Sequence, residues 1–260
     1  METITIIKIG GKELDTPTFL GKLCPALAAL DRPVVLVHGG GKEISAAMDR
    51  FGQTVHFIEG LRVTPPESMA VMEMVVCGSI NKRLVAALTM AGRRAIGLSG
   101  VDLGLLRCVP HRPGGTDLGR VGTITAVDHE TLHTLLRLGW LPVLAPVALG
   151  QEDGLSYNVN ADHVALAIAE SLSRNDDGKL GTRTSRTELV FVSNVPGVLS
   201  AGQVIPHLAA AEIESHIQAG IITEGMIPKV RSALAARAAG VATVRITNLE
   251  GLEDGGTRIS

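Results

Sequence analysis

Two glycine-rich stretches carry the first chemical signal. Lys8-Ile9-Gly10-Gly11 and His38-Gly39-Gly40-Gly41 each end an aliphatic run in glycine and open a polar segment. Backbone N–H groups at such a strand-to-helix turn lack partners and lie at the positive end of the helix dipole, which suits a phosphate or a carboxylate. Glycine lets that anion approach the backbone with no side chain in the way. A tight turn without a ligand is the competing reading. Lys8 stands among Ile4, Ile6, Ile7 and Ile9. An ammonium is costly to bury there unless it meets an opposite charge, so it either snorkels to water or serves an anionic ligand. The adjoining glycine turn favours the ligand.

Other candidates lie further along. In Gly60-Leu61-Arg62-Val63-Thr64, Arg62 is free to grip a carboxylate with its fork. A lone arginine is more often a solvated or structural ion pair. In Asn158-Val159-Asn160-Ala161-Asp162, Asn160 or Asp162 could simply cap the following helix, but three amides and acids exceed what one cap needs, and a ligand is expected to be gripped there as well. His129-Glu130-Thr131-Leu132-His133 fits the HExxH pattern of zinc hydrolases. No third ligand follows at the usual distance, and the reading taken is coincidence, with no protein metal site. The GxxxxGK[ST] and GxGxxG phosphate loops are missing, so phosphates must be held another way.

The elements that position these residues follow from patterning. Strands are expected at 3–9, 34–37, 95–98, 141–149, 189–192 and 241–247. Helices are expected at 19–30, 43–50, 164–172, 213–219 and 229–239, with one more after Asp128 that buries Leu132, Leu135 and Leu136 and leaves His129, His133 and Arg137 in a row facing solvent. Thr64 is read as the cap of a helix running from Pro65 to about Met90, with Ile80, Leu84 and Leu88 in its core stripe. Residues 108–121 read as a loop or hairpin, and the polar stretch 173–188 as a surface loop between an N-terminal lobe, 1–173, and a C-terminal lobe, 174–260. Alternating strands and helices make an α/β sandwich. Right-handed crossovers then bring both glycine turns to the carboxyl edge of one parallel sheet.

Composition narrows the partner. Of 260 residues 45% are hydrophobic, ample for a core, but only 2% are aromatic, which argues against nucleic-acid recognition by stacking. A net charge of −2 with scattered Lys and Arg shows no footprint for nucleic acid or anionic membranes, so a small molecule is expected. Cys24, Cys77 and Cys108 form no CxxC pair and fit a reducing compartment. No apolar run approaches the ~18 residues of a membrane span. Neither is there a secretory signal, and the cytoplasm is the expected location.

Together with Gly225-Met226-Ile227-Pro228-Lys229, these stretches resemble the amino acid kinase family in order and spacing. Within it they are most similar to the branch that phosphorylates the side-chain carboxylate of N-acetyl-L-glutamate in arginine biosynthesis. The resemblance implies a three-layer αβα sandwich with a mostly parallel central sheet, ATP as phosphoryl donor, and Mg²⁺ carried by the ATP phosphates. It also implies roles. Lys8 and Lys229 contact the transferring phosphate from opposite sides and Asp162 holds both ammonium groups. Gly40 and Gly41 donate N–H groups near the acceptor and the γ-phosphate, while Gly10 and Gly11 serve the ATP phosphates. Arg62 takes the substrate α-carboxylate and Asn158 helps fix the same molecule. Asn194, Gly197, Leu199, Ile222 and Thr223 hold the nucleotide.

Three departures from the family pattern stand out. Asn194 replaces a common Asp, and Ser193-Asn194-Val195-Pro196-Gly197 looks closer to kinases acting on carrier-bound aminoadipate. The polar stretch 173–188 is longer than usual. The first strand begins almost at Met1, with no room for the N-terminal helix of arginine-inhibited hexameric members, so the expectation is a homodimer insensitive to arginine. N-succinylglutamate and carrier-bound aminoadipate are the alternative acceptors. A non-catalytic sensor of amino acids or nucleotides is the alternative of another class, and intact Lys8, Asp162 and Lys229 argue against it.

Overall fold

The computed structural model describes residues 2–14, 16, 18–173, 185–223 and 226–260. The chain opens with β1 (Glu2–Ile9), a single turn α1 (Gly11–Leu14), α2 (Phe19–Ala29), β2 (Val34–His38) and α3 (Gly41–Arg50). A small hairpin follows, β3 (Phe57–Ile58) and β4 (Leu61–Arg62), turned through the left-handed backbone of Glu59 and Gly60, φ 49° and 78°.

Next comes one long helical rod, α4 (Pro66–Glu73), a π-helical segment (Met74–Ile80) and α5 (Asn81–Met90). Ile80, Leu84 and Leu88 are buried in it as expected. The rod differs from expectation in two ways. It is interrupted by the π turns, and Thr64 does not cap it. Pro65 takes the cap position, while the buried Thr64 hydroxyl donates to Arg62 O at 2.7 Å.

The chain continues with β5 (Ala95–Ser99), β6 (Leu106–Pro110), β7 (Gly122–Val127), α6 (His129–Arg137), β8 (Leu141–Ala145), β9 (Val147–Gly150), β10 (Ser156–Asn158) and α7 (Ala161–Ser173). The apolar run 141–149 is therefore two strands in two different sheets, bent apart at Pro146, which cannot donate to a ladder. Residues 108–121 do belong to a hairpin, β6 against β7.

Beyond residue 184 lie β11 (Ser185–Val192), β12 (Leu199–Ser200), β13 (Gln203–Val204), β14 (His207–Leu208), α8 (Ala210–Gln218), α9 (Ile227–Ala238), β15 (Thr243–Thr247) and β16 (Thr257–Ile259). The expected surface loop 173–188 is corrected at both ends: Ser173 closes α7, and 185–188 are the start of a central strand. Its middle, 174–184, lies outside the described residues. Polar composition misled there because Glu188 is buried with a charged partner, Arg245, rather than solvated.

The main sheet has eight strands in the order β14-β16-β15-β11-β1-β2-β8-β5, parallel throughout except for the β15–β16 pair. A four-stranded sheet, β10-β9-β6-β7, adjoins it. Strand parity sorts the side chains into two cores. Ile4, Ile6, Val35 and Val37 pack with residues of α7 and α9, whereas Ile7, Ile9, Val34 and Leu36 pack with α2 and α5. Helices thus cover both faces, the three-layer sandwich expected. No helix is long and apolar enough to cross a membrane among the described residues.

Candidate active site

The period of two along a strand decides where the charged groups go. Lys8 shares the parity of Ile4 and Ile6 and so faces α7, where its Nζ lies 2.7 Å from Asp162 Oδ1. Both side chains are largely withdrawn from water, 10% and 15% exposed, so the pair satisfies the requirement for a lysine in an apolar strand. Asp162 is free for this because Asn160 does the capping: its Oδ1 accepts from the Asp162 N–H at 2.8 Å.

The two glycine turns lie against each other at the carboxyl ends of the neighbouring strands β1 and β2. Gly39 N–H donates to Ile9 O at 2.9 Å. A Cβ on Gly11 would stand 2.7 Å from Gly41 N and 3.0 Å from Gly40 N, so a side chain there would collide with backbone. Convergence of the turns, inferred from topology, is thus a structural fact.

On one side of the turns, Arg62 is buried and reaches into α3. Its Nη2 donates to Gly41 O and to Ser45 Oγ, both at 2.9 Å, and its guanidinium lies 4.8 Å from the Phe57 ring centroid. Burial pulls its pKa down from the ordinary arginine value. Among the described residues it has no carboxylate partner, so the structural ion pair weighed from the sequence is not what holds it. Asn158 Nδ2 donates to Thr64 Oγ1 at 3.0 Å, and that hydroxyl donates to Arg62 O. Gly41, Arg62, Thr64 and Asn158 therefore form one linked polar wall. Ser45 and Phe57 were missed in this role and carry no motif, while Thr64, part of the 60–64 stretch, reads from the sequence only as a helix cap.

A cleft of about 700 Å³ lies near the first turn, its lining including Glu13, whose carboxylate approaches Gly10. Asn194, Gly197, Leu199 and Thr223 line it together with Met226 and Lys229. Ile222 is in the core at 1% exposure and not on the cleft wall. Thr16, Phe19, Asn248 and Leu249 are also in the wall, so both expected lobes contribute to it. The signal for residues 248–250 was topological: the loop after β15 shares the carboxyl edge with the glycine turns. Lys8, Asp162, Gly10, Gly11, Gly40, Gly41, Arg62 and Asn158 are outside the cleft lining, and Gly225 lies outside the described residues.

The HExxH residues lie on α6. Asp128 caps it by accepting from Thr131 N–H at 3.0 Å, and Leu132 and Leu136 are buried. The His129 and His133 rings meet edge to face at 6.3 Å, half-buried rather than in the solvent row expected; only Arg137 is exposed. No group of three or more His, Cys, Asp or Glu poised for a metal occurs among the described residues.

Residues 3–248 match the model of the Amino acid kinase family. The chain belongs to the amino acid kinase family. A protein of Chloroflexus aggregans named acetylglutamate kinase is 61% identical over 99% of this chain and 97% of its own length. One of the same name from Chloroflexus aurantiacus is 60% identical over 100% of this chain and 98% of its own. Among solved structures, smu.665 of Streptococcus mutans superposes with a TM-score of 0.77 at 28% identity, covering 99% of this chain and 98% of that one.

Proposed function

We propose that this chain catalyses the acetylglutamate kinase reaction, moving the γ-phosphoryl group of ATP to the side-chain carboxylate of N-acetyl-L-glutamate in arginine biosynthesis. The observation that supports it most is the Lys8–Asp162 ion pair beside two abutting glycine turns, with a buried Arg62 bonded to Gly41 and a cleft whose lining includes Glu13 beside Gly10. A sensor needs no such charge neutralisation.

The acceptor carboxylate, with an ordinary pKa of about 4.3, is already ionised at neutral pH, so no general base is required. What the reaction needs is alignment of two anions and positive charge at the passing phosphoryl group. Lys8 and Lys229 supply charge, and Asp162 keeps the Lys8 ammonium in place. Gly11, Gly40 and Gly41 offer N–H donors. Arg62 takes the acceptor α-carboxylate and Asn158 orients the same molecule. Gly10 gives the nucleotide phosphates room, while Asn194, Gly197, Leu199 and Thr223 line the nucleotide cleft and Ile222 supports it from the core.

Mg²⁺ would arrive with the nucleotide and supply charge neutralisation on the phosphate oxygens. Residues 1–173 serve the acceptor and dimerisation, and 174–260 most of the nucleotide contacts. By likeness to the family branch, the working assembly is a homodimer in the cytoplasm; sedimentation giving a hexamer would refute it.

A coupled assay of ADP release with N-acetyl-L-glutamate, N-succinylglutamate and carrier-bound aminoadipate tests the acceptor. Turnover with N-acetyl-L-glutamate is expected; turnover with the carrier-bound substrate alone would overturn the assignment.

A further inference from the structure

His38 immediately precedes the glycine turn, yet nothing above gives it work. Parity turns it away from Lys8: it shares the parity of Val34 and Leu36 and faces α5, where it is completely buried. Its Nε2 lies 3.1 Å from Asn81 Nδ2, and its Nδ1 lies 3.0 Å from Gly39 O.

The neighbouring hydrogen bonds decide which nitrogen carries the proton. Asn81 Nδ2 also lies 2.9 Å from Val143 O, a backbone carbonyl that can only accept. The amide nitrogen must therefore face it, and Asn81 Oδ1 accepts from Lys82 Nζ on its other side at 3.2 Å. The second Asn81 N–H then points at His38 Nε2, which must accept. The proton is left on Nδ1, which donates to Gly39 O. Burial, the dominant influence, pushes the His38 pKa down to about 4, so this neutral ring persists at neutral pH.

Gly39 C=O and Gly40 N–H belong to the same planar peptide unit and point in opposite directions. We propose that His38 is a positioning residue that, by pinning Gly39 O on the α5 side, fixes the plane of the 39–40 peptide and aims the Gly40 N–H at the reacting groups. Glycine on both sides of that peptide makes the pin necessary, because neither residue has a side chain to limit its rotation. A donor held in place beforehand needs no reorganisation as charge develops. The π turns that precede Asn81 set the helix register at the residue on which this chain of bonds depends.

This inference rests on the kinase reading, and the two fail separately: turnover by the unmodified protein tests that reading, and His38 variants test this one. In ¹⁵N spectra of the full chain, His38 is expected as the neutral Nδ1–H tautomer throughout pH 5.5–8.5; an Nε2–H tautomer or a charged ring at pH 7 overturns the proposal. Removing a donor of this kind outright costs about 10²–10³ in kcat, so loosening it in His38→Leu is expected to cost at least about tenfold with both KM values little changed. His38→Asn, which can present an N–H near the place of Nδ1, is expected to restore most of the loss and to return the Gly40 amide resonance toward its original position. Unchanged kcat in His38→Leu sinks the idea. Should that variant fail to fold, the tautomer measured on the unmodified protein decides alone.

Discussion

The severest single substitution outside the reacting centre should be Arg245→Met. Arg245 is 1% exposed on the α2 face of β15. Its Nε donates to Glu188 Oε1 at 2.6 Å, and its two terminal nitrogens donate to the carbonyls of Gly251, Gly255, Leu252 and Glu253. One guanidinium thus ties β11 to the loop after β15, whose first residues, Asn248, Leu249 and Glu250, line the cleft proposed for the nucleotide. Removing it leaves Glu188 with Thr5 Oγ1 at 3.3 Å and Arg32 at 3.5 Å as its remaining partners. Breaking a buried pair from one side costs about 3–5 kcal/mol. The loss of the buried donor to Leu252 O adds about 1–3 kcal/mol. A domain stable by about 5–15 kcal/mol cannot absorb this quietly. At about 2–4 °C per kcal/mol for a chain of this size, the melting midpoint should fall by about 8 °C or more.

The double variant Arg245→Met with Glu188→Leu removes the carboxylate that has lost its nearest partner and should recover part of the loss, but not all, because Leu252 O and Gly255 O stay without the Arg245 donor. Where the protein remains folded, KM for ATP should rise while KM for the acceptor holds, since the acceptor wall hangs on other strands. Thermal unfolding and two-substrate kinetics on the three proteins check this. A single variant within about 1 kcal/mol of the parent, or a double variant no better than the single, would refute the reasoning.

Lys8→Ala should lower kcat by about 10²–10³, as for loss of one preorganised charge-stabilising donor, with ATP affinity by calorimetry largely kept; unchanged turnover removes Lys8 from the mechanism. Arg62→Lys keeps the charge but loses the planar fork, so KM for N-acetyl-L-glutamate should rise about tenfold or more and KM for ATP should not; equal rises in both would point to a collapsed site instead. His38 also gives an acid dependence of stability. Its folded pKa of about 4 lies below the ordinary 6.5, with burial leading, Arg83 adding to the depression, and Glu43 and the Gly39 bond opposing it. The unfolded chain therefore binds the proton more readily, and the stabilisation, about 3 kcal/mol at 1.36 kcal/mol per unit, is complete above pH 6.5 and disappears as pH falls to 4. Urea midpoints at pH 7 and 4.5 for the parent and His38→Asn test this; identical pH slopes in the two proteins would refute it.

How far the site could be read from the chain depended on whether a residue contradicts its immediate neighbours. Lys8 does: an ammonium inside an isoleucine-rich strand demands a partner, and parity with Ile4 and Ile6 limits the partner to one face. Residues 39–41 do so as well: three glycines end an aliphatic run abruptly, and a Cβ on Gly40 would collide with Ile80 Cδ1. Glu188 contradicts nothing nearby. It follows a polar stretch, and its partner Arg245 is far away in sequence, so only the β11–β15 register shows that the two charges meet. Pro146 was a visible breaker inside the apolar run 141–149, but hydropathy cannot say that the chain leaves one sheet for another there.

The same distinction explains His38. As the last residue of a strand before glycines, it reads from the sequence as part of a motif and from composition as a buried polar group. Its tautomer depends on Asn81 and, through Asn81, on the carbonyl of Val143 in a third element. Each bond in that chain is an ordinary one, and together they leave one arrangement of protons. A fold that places β8, α5 and β2 side by side thus sets the direction of a single N–H at the glycine turn. Neither a strand pattern nor a motif contains that information, because it resides in which neighbour can only accept.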